Sequence, residues 1–137
     1  MGGFDDVLAA NEEYARGFAL AGLSGRAAKG LAVVTCMDSR IEPLAMLGLV
    51  PGDAKILRNA GARVDAGVIA ALALAMNRLD VTRAMVVGHT DCAAVTTGRE
   101  EILRRDVERL RTAPELAGLE TGGFIYDVET GLLSRCV

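Results

Sequence analysis

Five side chains in this sequence have the types and the spacing to do chemistry together. Cys36, Asp38 and Arg40 occupy alternate positions in Cys36-Met37-Asp38-Ser39-Arg40, and His89 and Cys92 stand three residues apart in His89-Thr90-Asp91-Cys92. Two thiolates and an imidazole suit Zn²⁺. Three protein ligands leave one tetrahedral position open, which is the arrangement of a catalytic rather than a structural zinc site. Zinc held in that way lowers the pKa of bound water from about 15.7 toward ~7, so that hydroxide becomes available at neutral pH. If the chain stays extended beyond residue 36, the two-residue period points Cys36, Asp38 and Arg40 to one side. If it coils after residue 89, His89 and Cys92 converge one turn apart. Taken singly, each has a plainer account: Cys36 as a small buried hydrophobe, His89 as a hydrogen-bonded structural histidine, and Asp38 with Arg40 as a surface ion pair worth at most ~1 kcal/mol. Their joint position at two strand ends sets them apart.

The elements that must position them alternate strand and helix. Leu31-Ala32-Val33-Val34-Thr35 is a continuous apolar, β-branched run of the kind buried on both faces of a parallel sheet. Ala54-Lys55-Ile56-Leu57 is a second candidate strand, and Ala84-Met85-Val86-Val87, ending at Gly88, is a third. Between the last two, Val68, Ile69, Leu72 and Met76 recur at helical spacing within Asp65 to Leu79, a segment apolar on nearly every face. Asp5 to Phe18 reads as an amino-terminal helix, and Gly22, Gly25 and Gly30 loosen the connection to the first strand. Arg99 to Arg111 carries Ile102, Leu103, Val107 and Leu110 on one side and reads as an amphipathic surface helix. Phe124 to Val128, followed by a Glu129-Thr130-Gly131 turn and Leu132-Leu133, reads as an edge strand near the carboxyl terminus. The class expected is α/β: a mainly parallel sheet flanked by helices, in one domain over residues 1–137. The cysteine and histidine motifs then follow the first and third strands, at the carboxyl edge where open α/β sheets bind ligands.

Composition removes several classes of function. The 137 residues carry a net charge of −3 with arginines dispersed among carboxylates, and only 4% are aromatic, so neither a phosphate-binding stripe nor a base-stacking surface is present. No apolar run reaches the ~20 residues of a membrane span, and the first residues lack the order of a signal peptide, so a soluble, cytoplasmic protein without nucleic-acid or membrane partners is expected. Three cysteines, an odd number, favour metal binding or burial over a disulfide framework. Cys136, beside the terminus, receives no role.

Cys36-x-Asp38-x-Arg40, then Arg58-Asn59-Ala60-Gly61 after the second strand, then His89-x-x-Cys92, together resemble the β-class carbonic anhydrases in motif, order and separation, as a short, minimal member. The likeness covers roughly Ala10 to Cys92, and Gly123 to Gly131 is similar to that family's last strand. The resemblance implies one Zn²⁺ per subunit held by Cys36, His89 and Cys92. It implies Asp38 oriented by Arg40 to accept a hydrogen bond from the attacking hydroxide, or alternatively Asp38 in the fourth zinc position in a closed form. Ala60 and Gly61 are implied to line the substrate cleft. The reaction implied is reversible hydration of carbon dioxide to bicarbonate, by a homodimer or higher homo-oligomer whose amino-terminal helix packs on the partner subunit.

The pattern departs from the family in two places. Ala93 stands where glycine usually follows the second cysteine ligand, and only the 31 residues from 93 through 123 separate Cys92 from Phe124. The second departure predicts an incomplete cleft wall. Within the same fold, two further readings stand beside hydration: hydrolysis of another small heterocumulene such as carbon disulfide, and a zinc-bearing relative with little or no hydration activity. A cysteine phosphatase requires a longer Cys-to-Arg spacing than the three residues found here, and no glycine-rich nucleotide loop follows any strand. With the sole histidine assigned as a ligand, no second imidazole remains to shuttle protons, so turnover is expected to depend on external buffer, a carboxylate or a tyrosine.

Overall fold

Every position of Leu31-Ala32-Val33-Val34-Thr35-Cys36 is buried, and the segment forms β1 (Leu31–Cys36), a central strand covered on both faces. In the computed structural model, which describes residues 2–137, β2 (Ala54–Asn59) and β3 (Arg83–His89) lie parallel on either side of β1. β4 (Glu120–Tyr126) pairs parallel to β3, and β5 (Leu133–Arg135) pairs antiparallel to β4, giving the order β2-β1-β3-β4-β5. The mainly parallel α/β architecture expected from the sequence is the one observed. The domain limit expected at Met1 lies outside the described residues.

The chain steps from β1 to β2 on one side and then crosses to β3 on the other, so a topological switch point falls between β1 and β3, where such sheets open a crevice. Leu31 is in register with Arg83 and Thr35 with Val87, so Cys36 and His89 leave the sheet at one edge.

Two helices cover one face of the sheet. α1 (Asp5–Arg16) stands apart from it, and α2 (Pro43–Met46) is a single turn between β1 and β2. α3 (Ala66–Arg78) begins where the Asp65 carboxylate accepts the Val68 amide at 2.8 Å, an N-cap, and it buries Val68, Leu72 and Ala75. α4 (Arg99–Thr112) buries Leu103, Val107 and Leu110 on its inner side, and a 3₁₀ turn (Pro114–Leu116) leads on to β4. These side chains pack on Ala32, Val34, Ala84 and Val86 to form the larger core. α4 approaches β4 closely because Gly123 has no side chain: a Cβ there would lie 2.9 Å from Val107 Cγ2 and 3.1 Å from Leu103 Cγ. On the other face, Leu31, Val33 and Val87 lie under Met46, Leu47 and Leu49 and beside Met85 and Phe124.

Two details differ from the sequence reading. The strand expected at the sheet edge from Phe124 starts four residues earlier, at Glu120, and lies inside the sheet, while β5 supplies the edge. The added residues include Gly122 and Gly123, of which Gly123 is the surface on which α4 rests, while Gly122 faces Phe124 and Arg135. α1 is helical as expected and buries no residue, leaving Phe4, Val7, Leu8 and Tyr14 exposed. Among the described residues, no helix is long and apolar enough to cross a membrane.

Candidate metal centre

Cys36 ends β1, His89 ends β3, and Cys92 follows after a turn; one donor atom from each lies within 4.8 Å of the others, and all three residues are buried. The two Sγ atoms are 4.0 Å apart. Two thiolates at ~2.3 Å from one tetrahedral ion stand about 3.8 Å apart, so the sulfurs are spaced for a shared zinc. His89 Nδ1 lies 2.6 Å from the Thr90 carbonyl. A carbonyl only accepts, so Nδ1 carries the proton and Nε2 keeps its lone pair, which is the tautomer a metal requires. Nε2 is buried and has no hydrogen-bond partner. Leaving such an atom unpaired costs about 1–3 kcal/mol, which a coordinated cation would remove. The residues present fit zinc.

The backbone also reaches the first sulfur. The Gly61 amide donates to Cys36 Sγ at 3.3 Å. Only glycine fits there, because its φ is +91° and a Cβ would lie 2.9 Å from Val95 Cγ2. Asn59 shapes this loop: its side chain donates to the Arg63 carbonyl and accepts from the Arg63 amide, both at 2.7 Å.

Beyond Cys36 the chain turns instead of staying extended, and the Ile41 amide donates to the Asp38 carbonyl at 3.1 Å. Asp38 and Arg40 meet through this turn. Asp38 Oδ1 accepts the Arg40 amide at 2.9 Å and Nε at 3.0 Å, while Oδ2 accepts Nη2 at 2.7 Å. The Arg40 guanidinium beside it holds the Asp38 carboxyl well below the usual carboxylate range, so the group is an anion. The Asp38 side chain is 17% exposed, and Oδ2 lies 3.8 Å from His89 Nε2, too far for a hydrogen bond. Arg40 also donates to the Asp91 carboxylate at 3.1 Å and to the Asp91 carbonyl at 3.0 Å, tying the Cys36 loop to the Cys92 loop. Asp91 has φ +52°, a left-handed conformation that aspartate tolerates. A tight left-handed turn, not a helical one, therefore brings His89 and Cys92 together.

Sequence reasoning quoted Arg58 in a motif but gave it no role. Its Nε donates to the Cys36 carbonyl at 2.9 Å, and its Nη2 donates to the carbonyls of Asp38 at 2.8 Å and Ile41 at 3.3 Å. One guanidinium thus fixes the backbone of the whole Cys-x-Asp-x-Arg turn. The available signal was an arginine one residue before the end of the second strand, within the Arg58-Asn59-Ala60-Gly61 motif.

A cavity of about 20 Å³, room for one water-sized group, lies against His89 and Cys92. Gly61, Ala62, Val95 and Ile102 form its apolar wall, whereas Ala60 is exposed and lies outside it. The short segment after Cys92 brings α4 directly to this cavity, so the wall expected to be incomplete is supplied by that helix. Asp106, 2% exposed, also lines it; it accepts Arg63 Nε at 2.7 Å and the Val64 amide at 3.1 Å on one oxygen, and Arg63 Nη2 at 3.4 Å on the other. Asp106 lies within the segment read as an amphipathic surface helix and was not singled out there, because its partner lies far away in sequence. Ala93 is exposed beside Cys92.

Residues 31–120 match a family model described as carbonic anhydrase. β-Carbonic anhydrase 1 of Mycobacterium tuberculosis is 32% identical over 157 aligned positions covering 96% of each chain; against 137 residues here, at least 20 of those positions face gaps in this chain. The crystal structure of a carbonic anhydrase from Streptococcus mutans superposes with a TM-score of 0.91 and 34% identity, over 100% of this chain and 99% of that one. A carbon disulfide hydrolase of Acidianus is 39% identical over 72 residues, covering 53% of this chain and 35% of that protein. Family model over residues 31–120, near full-length relative and superposed fold agree, and this chain belongs to the β-class carbonic anhydrases, a family of lyases.

Proposed function

We propose that this chain hydrates carbon dioxide reversibly to bicarbonate as a zinc enzyme, its 137 residues forming one unit that holds one Zn²⁺ through Cys36, His89 and Cys92. The observation that carries this reading is the convergence of two thiols and an unpaired, correctly protonated imidazole beside an arginine-held carboxylate. Bound there, the metal supplies hydroxide near neutral pH.

The remaining work falls to side chains. Asp38, ionised and bonded on both oxygens by Arg40, can only accept, so it would take a hydrogen bond from a hydroxide beside it and orient that group. That three-bond hold favours an Asp38 that would stay with Arg40 and not join the residues that would hold the metal. Ala62, Val95 and Ile102 offer carbon dioxide an apolar wall, and Gly61 holds Cys36 through its amide. Addition of hydroxide to carbon dioxide yields bicarbonate, and the proton released in restoring hydroxide passes to solvent or buffer.

The exposed apolar side chains of α1 support the dimer in the same proposal, with Phe4, Val7 and Leu8 covered by a second subunit. Stopped-flow hydration by zinc-loaded protein tests the activity: a rate no faster than buffer overturns it. The partial likeness to carbon disulfide hydrolases supports a second reading, for which hydrogen sulfide release from carbon disulfide, with no hydration, is the expected result.

A further inference from the structure

Among the described residues, two buried side-chain nitrogens lack a hydrogen-bond partner: His89 Nε2 and Arg99 Nε. The proposed metal accounts for the first. Nothing yet described accounts for the second, and both residues line the same cavity of about 20 Å³. Arg99 heads α4, and Arg99, Ile102, Leu103 and Asp106 share its inner face at helical spacing. The only other charge on the wall from this helix is Asp106, whose two oxygens are occupied by Arg63 and the Val64 amide. No carboxylate of the described residues lies within ion-pair reach of Arg99, although Glu100 and Glu101 follow it in sequence. The uncompensated charge facing the cavity is therefore a guanidinium, with an N–H that the protein leaves free.

A guanidinium has donors and no acceptors, so the group that satisfies Arg99 must bring an oxygen lone pair. Carbon dioxide is apolar and a poor acceptor. A planar oxyanion carries its charge on oxygens that match a guanidinium edge. The cavity has room for one water-sized group, so it takes one oxygen of such an anion while the rest lies toward the mouth. We propose that Arg99 is an anion-binding residue, which holds one oxygen of a small planar oxyanion beside the metal position. In turnover that anion is bicarbonate, a step that rests on the hydration reading above; the anion site itself does not.

Nitrate is a planar oxyanion that cannot turn over, and it serves as the probe. Zinc-loaded protein is titrated with sodium nitrate in a calorimeter at constant ionic strength, with zinc content measured on each sample. Arg99→Gln should weaken nitrate binding about 10-fold or more, the loss expected for one charge-assisted hydrogen bond. Arg99→Lys keeps the charge without the Nε–H and should fall between. Arg104→Gln removes an equal charge from the exposed side of the same helix and should bind like the parent. Nitrate affinity within twofold of the parent in fully metallated Arg99→Gln overturns the proposal, as does a parent protein that takes up no nitrate. Arg99-dependent nitrate binding by a protein that does not hydrate carbon dioxide sustains the anion site and removes only the hydration reading.

Discussion

The Arg63–Asp106 pair permits a quantitative test of what holds the metal loop against α4. Asp106 is 2% exposed and Arg63 is 45% exposed, so the two halves of the pair are not equivalent. Removing Arg63 strands a carboxylate in the interior with one amide donor, Val64 at 3.1 Å, and Arg109 Nη1 at 4.0 Å. Breaking a buried pair from that side costs about 3–5 kcal/mol, and Arg109 is close enough to bring Arg63→Ala to the lower end, about 3 kcal/mol. Removing Asp106 instead releases a half-exposed guanidinium into water and orphans the Val64 amide, so Asp106→Ala should cost about 2 kcal/mol. Once Asp106 is gone Arg63 has nothing to pair with, and the double variant should resemble Asp106→Ala alone. The cycle therefore predicts a coupling of roughly 3 kcal/mol. Urea unfolding of metal-free protein at one fixed concentration measures it, because bound zinc and subunit association would otherwise shift the midpoints. Additive single effects, or an Arg63→Ala cost below ~1 kcal/mol, would show that Asp106 does not depend on Arg63 and would refute this account of the pair.

Replacement of Cys36, His89 or Cys92 by alanine should abolish zinc content together with activity, while Asp38→Asn and Arg40→Ala should retain zinc and lose turnover; metal analysis of purified variants separates the two groups. Gly123→Ala forces a methyl to within 2.9 Å of Val107 and should destabilise by about 1–3 kcal/mol in a thermal or urea scan, with zinc affinity intact. Because the sole histidine is the proposed ligand, hydration at saturating carbon dioxide should rise with buffer concentration; a rate independent of buffer points instead to an internal carboxylate or tyrosine relay.

The fold was legible because its signal is local. A run such as Leu31 to Cys36 has no polar face and must sit inside a parallel sheet, and two such strands with chemistry at their ends define the binding edge. The meeting of Cys36 and His89 was legible for the same reason, since they are the residues at which those strands stop. What sequence could not supply was the turn geometry and the long-range partners. Asp38 and Arg40 meet because a carboxylate accepts the amide two residues on, not because an extended chain alternates. Asp91 takes a left-handed backbone where a helical turn was expected. Asp106 lies 43 residues from Arg63, and no periodicity along α4 announces such a partner.

The two loop-fixing arginines explain how Cys36, His89 and Cys92 come to be arranged around a common point by protein contacts alone. Arg58 reaches from β2 and bonds three carbonyls of the Cys36 turn, while Arg40 reaches from that turn and bonds both the carboxylate and the carbonyl of Asp91 beside Cys92. The first fixes one loop to the sheet, and the second fixes the other loop to the first. Cys36 and Cys92 belong to different strand connections, and without this bridge their separation would depend on two independent turns. With it, one guanidinium serves two ends: Arg40 holds both oxygens of the Asp38 carboxylate and, through Asp91, ties together the loops whose sulfurs stand 4.0 Å apart. On the zinc reading proposed above, loss of Arg40 therefore acts on metal geometry as well as on Asp38, whereas loss of the Asp38 charge acts on the nucleophile alone. That difference is why Arg40→Ala should weaken zinc retention under chelator challenge more than Asp38→Asn does, even though both variants purify with metal.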